Sequence, residues 1–259
     1  ASAIELTNYE GISRDPYYNE KNGEVGYKDL VVYDLRGNRE IGRLALPKGI
    51  EAFDWVSISP KGGYVVVDYA DDQTARFHGL EVYDRDLKFL WQKPLGAGHS
   101  DLGLDADGTE VLVMDVYDAQ RNETVIRKFR LADGKETELL AVSAKFDLHI
   151  SCRNFLRPGW CYISTFDYVE RLVHSSADFL PFEDEIFALP MDGSRKVERL
   201  AHHHSRRFSP STPDSDRSCY FAEPHATISP TGDRIIFGSN WGGDVAKPGS
   251  IDTFLIDLR

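Results

Sequence analysis

The sequence predicts an all-β protein built from a repeated hairpin, and three observations support this prediction. Four segments align without gaps, and each contains a strand, a tight Pro, Asp or Gly turn and a second, apolar strand; they are 55–67, 101–113, 151–163 and 225–237. Hairpins of a second kind, with short turns that include Asp or Gly, lie before and between them, at 30–46, 80–94, 125–140 and 185–200. No stretch shows convincing helical periodicity over three turns.

The spacing of the repeat predicts a β-propeller of four-stranded antiparallel blades. The equivalent positions Tyr64, Glu110, Trp160 and Arg234 are 46, 50 and 74 residues apart, and propeller repeats run to about 40–50 residues. We expect one domain over residues 1–259, with blades at about 53–94, 99–140, 149–200 and 223–258. The result is either a small ring of about five blades or a fragment of a larger propeller.

We expect the aligned hairpins to be the inner strands of each blade and the hairpins of the second kind to be the outer strands. The first blade, at about 1–46, is then incomplete, because no aligned hairpin precedes the outer hairpin at 30–46. Residues 1–27 could supply the inner strands. Alternatively, the segment Ile4–Tyr9 could be the missing last strand that closes the ring. The sequence leaves both arrangements open.

Composition excludes some classes of function. The 259 residues are 41% hydrophobic, and no apolar run approaches the ~20 residues of a membrane-spanning helix. The net charge of -12 argues against general nucleic-acid binding, which needs a basic surface. We therefore expect no nucleic-acid partner and no membrane insertion, and the first residues, Ala-Ser-Ala, make a periplasmic or secreted location plausible.

The chain has three cysteines, too few for a disulfide framework or a four-cysteine zinc site. Cys152 and Cys161 lie on paired strands of one hairpin, so a bond between them is possible. Two buried free thiols are the favoured interpretation, since unpaired cysteine is commonly buried.

The alignment of the inner strands predicts a cluster of polar side chains. Residues on one face of equivalent strands should meet at the mouth of the central channel, and the polar positions there are His99, His149 and His225, with Asp101, Glu223 and Arg153. Imidazoles with carboxylates can hold a divalent metal or transfer protons. A structural role for His99, in a Gly-His pair that hydrogen-bonds within its blade, is the alternative.

A second polar segment, His202-His203-His204-Ser205-Arg206-Arg207, follows an outer strand. His202 and His204 share one face of an extended chain, which is a spacing that suits chelation. Arg206 and Arg207 add positive charge to an acidic protein, although a solvated polar loop would look the same. Trp55, Trp241 and the aromatic loop 166–182 are candidates for stacking against a ligand.

The inner hairpins, especially 228–237 with its Ser229-Pro230-Thr231-Gly232 turn, resemble the repeats of TolB-like and WD40-like propellers. The histidine run followed by Pro224-His225 is similar to oligogalacturonate lyase and related propeller polysaccharide lyases. In that family a metal and histidines at the channel mouth act on uronate sugars. The resemblance implies His202, His204 and His225 as ligands of a divalent metal (Mn, Ca or Zn), and His149 or His99 as the base.

Two functional hypotheses follow. The first is a lyase that cleaves an acidic polysaccharide or oligosaccharide by β-elimination. Its catalytic residues would be His149, His99, Tyr220 as proton donor and Arg153, and its substrate-binding residues would be Arg206, Arg207, Trp55 and Trp241. The second is a non-catalytic propeller that binds a glycan or a protein on its long-loop face. This is the side expected to carry the longer connections, at 68–79, 114–124, 166–184, 201–221 and 238–251.

Overall fold

The structure is a computed structural model, and it describes residues 2–8, 27–45, 53–69, 79–95, 98–167, 180–207, 222–243 and 251–259. These residues form eighteen strands in five antiparallel sheets, and no α-helix occurs among them. Two compact units are present: the first comprises residues 1–97 and 130–135, and the second comprises residues 98–129 and 136–259.

Three of the five sheets have four strands, connected in sequence order. The first sheet contains β1 (Ser2–Asn8), β2 (Tyr27–Asp34) and β3 (Arg39–Ala45). The second contains β4 (Phe53–Ile58), β5 (Tyr64–Tyr69), β6 (Gly79–Asp84) and β7 (Phe89–Lys93). The third contains β8 (Ser100–Leu104), β9 (Glu110–Asp118), β10 (Glu123–Arg130) and β11 (Glu136–Ser143). The fourth contains β12 (Phe146–Ser151), β13 (Trp160–Asp167), β14 (Glu185–Pro190) and β15 (Glu198–His202), and the fifth β16 (Thr227–Ile228), β17 (Arg234–Ser239) and β18 (Asp252–Asp257).

This architecture confirms the predicted fold class, a β-propeller of four-stranded antiparallel blades. The four aligned hairpins become the pairs β4–β5, β8–β9, β12–β13 and β16–β17. Their turns need a left-handed residue, and Gly62, Gly108 and Gly232 supply it at equivalent positions with φ of 73°, 84° and 72°. In the third hairpin Gly159 has this role one position later, with φ of 92°.

Strand β1 resolves the two alternatives for the beginning of the chain. It pairs antiparallel with β2, from Ser2 opposite Asp34 to Asn8 opposite Tyr27. Strand β1 therefore belongs to the first sheet, at its edge next to β2. It is not the missing last strand of the fifth sheet. The second alternative included Tyr9, which lies outside the described residues. The grouping of all five sheets into one domain stays a prediction.

Each unit has its own apolar core, formed by the side chains that alternate inward along the strands. In the first unit, Leu30, Val32, Val65, Val67 and Tyr83 pack together. Described residues of the second unit form two such clusters. One joins the third and fourth sheets, and the other joins the fourth and fifth; both contain residues of β13 and β14.

The favoured interpretation of the cysteines is wrong, because Cys152 and Cys161 form a disulfide. Their Cα atoms are 4.3 Å apart across the β12–β13 hairpin, and both residues are buried. Gly103 on β8 makes room for the bond, since a Cβ at that position would lie 2.7 Å from the Cβ of Cys152. The disulfide thus links the two strands of the hairpin just beyond the end of β12.

Candidate functional site

Three neighbouring inner strands of the second unit bring the predicted histidines together. His99 immediately precedes β8, His149 lies within β12, and His225 lies two residues before β16. Side-chain oxygens connect these strands: Asp101 Oδ2 accepts from the backbone N–H of Cys152 at 2.8 Å, and Ser151 Oγ accepts from that of Ile228 at 3.3 Å. The aligned polar column therefore meets at one place.

His149 is at the centre of the cluster. Its ring centroid is 3.9 Å from that of His225, 4.5 Å from that of His99 and 5.0 Å from that of Phe166. The residue is only 9% exposed, and neither ring nitrogen has a hydrogen-bond partner in the described ranges of the chain. Burial, together with the charges of His99 and His225, lowers the pKa of His149 to about 2. The ring is therefore neutral, with an unused lone pair, as a metal ligand must be.

Glu223 supplies a carboxylate to the same point. Its Oε2 lies 3.3 Å from His149 Nε2 and 3.9 Å from His225 Nε2. Its Oε1 forms an ion pair with Arg207 Nη2 at 2.7 Å. Arg207 is held in turn by the carbonyl of Asp167 and by the face of Phe166, 4.8 Å from its guanidinium carbon. Arg207 therefore orients Glu223 so that one oxygen faces the two histidines.

The ligand atoms of His149, Glu223 and His225 all lie within 4.8 Å of one another, so the three residues could hold a metal ion. The orphaned nitrogens of a buried imidazole are the observation that tests this fit, because burying unpaired polar atoms is costly without a ligand. Two imidazoles and one carboxylate are the donors of known catalytic zinc sites. Calcium prefers oxygen ligands only, so this donor set suits Mn²⁺ or Zn²⁺ better than Ca²⁺.

A second group of titratable side chains lies beside the first. His99 Nδ1 is 3.2 Å from Asp147 Oδ1, and Asp115 completes a set whose ligand atoms also lie within 4.8 Å. Burial opposes the charge on His99, but Asp147, Asp115 and Glu223 outweigh it and raise the pKa of the imidazole. Burial raises the pKa of Asp115 to about 7. The His99–Asp147 pair therefore lies next to the His149 cluster, in an arrangement that can support proton transfer.

Other predicted residues take part in different contacts or belong to the other unit. Arg153 NH2 forms an ion pair with Asp101 Oδ1 at 2.8 Å, and Asp101 is 5% exposed. Trp55 belongs to the first compact unit. Tyr220 lies outside the described residues. Among the catalytic candidates, the described part of the chain therefore brings together His99 and His149.

The histidine run does not join this cluster. His202 Nε2 lies 3.5 Å from Glu185 Oε1, and the ring of His204 lies 4.7 Å from that of Trp241. Within the described ranges, His202 and His204 form no group with His225 whose ligand atoms come within 4.8 Å. They line instead a cavity of about 860 Å³, together with Arg206, Arg207 and Trp241.

His203, the middle histidine of the run, has a structural role that sequence reasoning did not assign. It is fully buried; its Nε2 lies 2.8 Å from the carbonyl of Thr165, and its Nδ1 accepts from the N–H of Ser205 at 3.0 Å. Asp147 was also not identified. Its position two residues before His149 places both on one face of β12, and that alternation was the available signal.

Comparisons with known proteins support the fold. No family model matches the sequence, and no curated protein matches it. An oligogalacturonate lyase in complex with manganese superposes with a TM-score of 0.53 at 12% identity, covering 89% of this chain and 54% of that one. The oligogalacturonate lyase of Vibrio parahaemolyticus gives a TM-score of 0.52 at 14% identity, covering 89% and 55%.

TolB from Acinetobacter baumannii gives a TM-score of 0.51 at 10% identity, covering 99% of this chain and 50% of that chain. This chain therefore spans about half the length of the structures that it matches. At these identities the likeness establishes the β-propeller fold alone. Separately, the described residues contain no helix that is long and apolar enough to cross a membrane.

Proposed function

We propose that this propeller acts as a polysaccharide lyase that cleaves an acidic, uronate-containing glycan by β-elimination. One observation carries the proposal: the ligand atoms of His149, Glu223 and His225 converge directly beside the His99–Asp147 pair. The structural likeness to oligogalacturonate lyases supports the choice of substrate class. The disulfide between Cys152 and Cys161 supports a periplasmic or secreted location, because disulfides persist in oxidising compartments.

β-Elimination needs three functions around the sugar. A base removes the hydrogen from the carbon next to the carboxylate, and the electron pair of that bond forms a carbon–carbon double bond. The bond to the leaving sugar oxygen then breaks, and this oxygen receives a proton. The carboxylate must be neutralised, because its charge opposes removal of the adjacent hydrogen.

His149, Glu223 and His225 would hold a divalent ion. This ligand set takes the place of the one predicted from the sequence, in which His202 and His204 were ligands together with His225. When bound, the ion would neutralise the substrate carboxylate and make the adjacent hydrogen more acidic. Arg207 positions the site, since its ion pair with Glu223 Oε1 leaves Oε2 directed at the histidines.

His99 is the base of the proposed reaction. Asp147 binds its Nδ1, which holds the ring in one orientation and leaves Nε2 to accept the proton. His149 is less suited to act as the base, because it is more buried than His99 and its ring would bind the metal ion. The donor to the leaving oxygen remains the predicted Tyr220.

The first test is an ultraviolet assay for unsaturated products from oligogalacturonate and other uronate oligomers, with manganese present. We expect activity to disappear after chelation and to return with manganese. His99→Gln should lower kcat by about 100-fold or more, the usual contribution of a general base. Asp147→Asn should also lower kcat, whereas Asp192→Asn, in an exposed turn of the same unit, should not. Absence of product from every uronate polymer would refute the proposal.

A non-catalytic propeller that binds a glycan is the second candidate. The exposed ring of Trp241, 57% accessible at the edge of the 860 Å³ cavity, favours it. Binding of uronate oligomers without any product would select this function over the lyase.

A further inference from the structure

The cavity that contains His202 and His204 has the features of a sugar-binding site in its own right. Its volume of about 860 Å³ is within the ~300–1,000 Å³ of known ligand pockets. Arg207 and Phe166 line it and also contact Glu223 and His149 in the metal-type cluster. The cavity and the cluster therefore share a wall, and a ligand in one would lie next to a ligand in the other.

An aromatic stack forms one edge of this cavity. Trp241 packs on Phe254 with centroids 4.9 Å apart and planes 26° apart, and Phe254 packs on Phe237 at 5.4 Å. His204 contacts the same indole at 4.7 Å. Trp241 is nevertheless 57% exposed, so part of this rigid, largely apolar side chain is available to a ligand. Sugar rings present an apolar C–H face that packs on such a surface.

The backbone beneath this stack is strained. Trp241 has φ of 48° and His204 has φ of 53°, both in the left-handed region that non-glycine residues avoid. Ser239 holds both segments: its Oγ donates to the carbonyl of His203 at 2.6 Å and accepts from the N–H of Trp241 at 2.9 Å. Strained residues that are held in this way are typical of ligand-binding sites.

Arg206 adds a positive charge beside the indole. Asn240 fixes its backbone from both sides, accepting from its N–H at 2.8 Å and donating to its carbonyl at 2.7 Å. Its guanidinium makes no ion pair or hydrogen bond within the part of the chain that the structure describes. An available guanidinium is suited to bidentate binding of a carboxylate.

Glu185 supplies an acceptor. It lines the cavity and is 4% exposed, with Arg199 NH1 at 3.2 Å and His202 Nε2 at 3.5 Å from its Oε1. Its Oε2 is buried and has no hydrogen-bond partner among the residues that the structure describes. A buried carboxylate oxygen in this state is costly unless a ligand donates to it, and a sugar hydroxyl is such a donor.

We propose that this cavity is a subsite for a uronate sugar that is not itself cleaved: the ring stacks on Trp241, its carboxylate binds Arg206, and a hydroxyl donates to Glu185. The choice of uronate as ligand rests on the proposed function. The stack, the guanidinium and the orphaned oxygen do not depend on any reaction at the His149 cluster.

Binding by isothermal titration calorimetry tests the subsite. The ligands are a galacturonate tetramer and a neutral galactose tetramer, each with manganese-loaded and with chelator-treated protein. Wild type should bind the acidic tetramer more tightly, with or without manganese. Trp241→Ala should weaken the binding of both ligands by about 3- to 10-fold, which is the value of one aromatic contact. Trp241→Phe should retain most of the affinity.

Arg206→Gln should weaken the acidic ligand by roughly 10-fold and leave the neutral one unchanged, since only the first has a carboxylate. Leu156→Ala, which truncates a 76% exposed side chain, and Arg36→Gln, in an exposed turn, are the controls and should bind as wild type.

The outcomes separate this proposal from the lyase. Wild-type affinities in Trp241→Ala and Arg206→Gln, with an unchanged KM if product forms, would overturn the subsite and leave the lyase standing. Binding with the expected losses but no product would overturn the lyase and leave the subsite standing. No oligosaccharide binding at all would overturn the subsite. If inorganic sulfate binds and depends on Arg206 but Trp241→Ala has no effect, the cavity is an anion site and the sugar proposal fails.

Discussion

His203 and His149 are both buried histidines of the second unit, but the surroundings of their ring nitrogens are opposite. His203 is paired at both nitrogens, with the carbonyl of Thr165 and the N–H of Ser205. Among the described residues His149 has no hydrogen-bond partner at either nitrogen, although Glu223 Oε2 lies 3.3 Å from its Nε2. Burial is the main cause that lowers both pKa values, to about 4 for His203 and about 2 for His149. Burial and pKa therefore do not separate a structural histidine from a functional one, whereas hydrogen-bond satisfaction does.

The same substitution at both positions tests this comparison. The largest effect is expected for His203→Phe, because it leaves the Thr165 carbonyl and the Ser205 N–H without partners inside the protein. Each unsatisfied group costs ~1–3 kcal/mol, so for the two groups we expect a loss of about 2–6 kcal/mol in the free energy of unfolding. Urea denaturation measures it, and a loss below about 1 kcal/mol would contradict the structural role.

The next effect in size is stabilisation by metal. Manganese at 100 times its Kd should raise the unfolding free energy of the wild type by about 2.7 kcal/mol, since the folded state alone offers the converged ligands. His149→Phe should lose this increase, and His202→Gln should keep it. If the metal-dependent increase in unfolding free energy survives in His149→Phe but disappears in His202→Gln, the metal is bound by the histidine run instead.

The smallest effect is expected for His149→Phe without metal. Within the described part of the chain the ring makes no hydrogen bond that the substitution could break; its Nε2 lies 3.3 Å from Glu223 Oε2, and the ring lies 5.0 Å from that of Phe166. Replacing an unsatisfied polar ring by an apolar one of similar shape is near neutral or stabilising, so we expect a change within about 1 kcal/mol. A loss as large as that of His203→Phe would show that His149 is structural as well.

Much of the fold and part of the site were predictable because they depend on local patterns. Period-two alternation and left-handed turn glycines such as Gly62 and Gly232 predict the hairpins from a few neighbouring residues. Equivalent positions in a repeat lie at equivalent places, so the alignment also predicted that His99, His149 and His225 meet.

Other features depend on residues that are distant in sequence. The metal-ligand assignment in the histidine run followed from spacing alone, but the direction of His202 is decided by Glu185 across the β14–β15 pair. The hairpin made a Cys152–Cys161 disulfide possible, but the pattern did not show that their Cα atoms approach to 4.3 Å, so free thiols were favoured. The role of Asp147 depends on His99, which comes from another sheet.

The sequence by itself determined the repeated hairpin, the propeller fold and the column of three histidines, because alternation and turn chemistry act over short stretches of chain. The tertiary structure decided which histidine has free nitrogens, which carboxylate faces them and where the aromatic cavity lies. These depend on how Glu223, Arg207 and Trp241 pack against strands far from them in sequence, and hydrogen-bond satisfaction is a property of that packing.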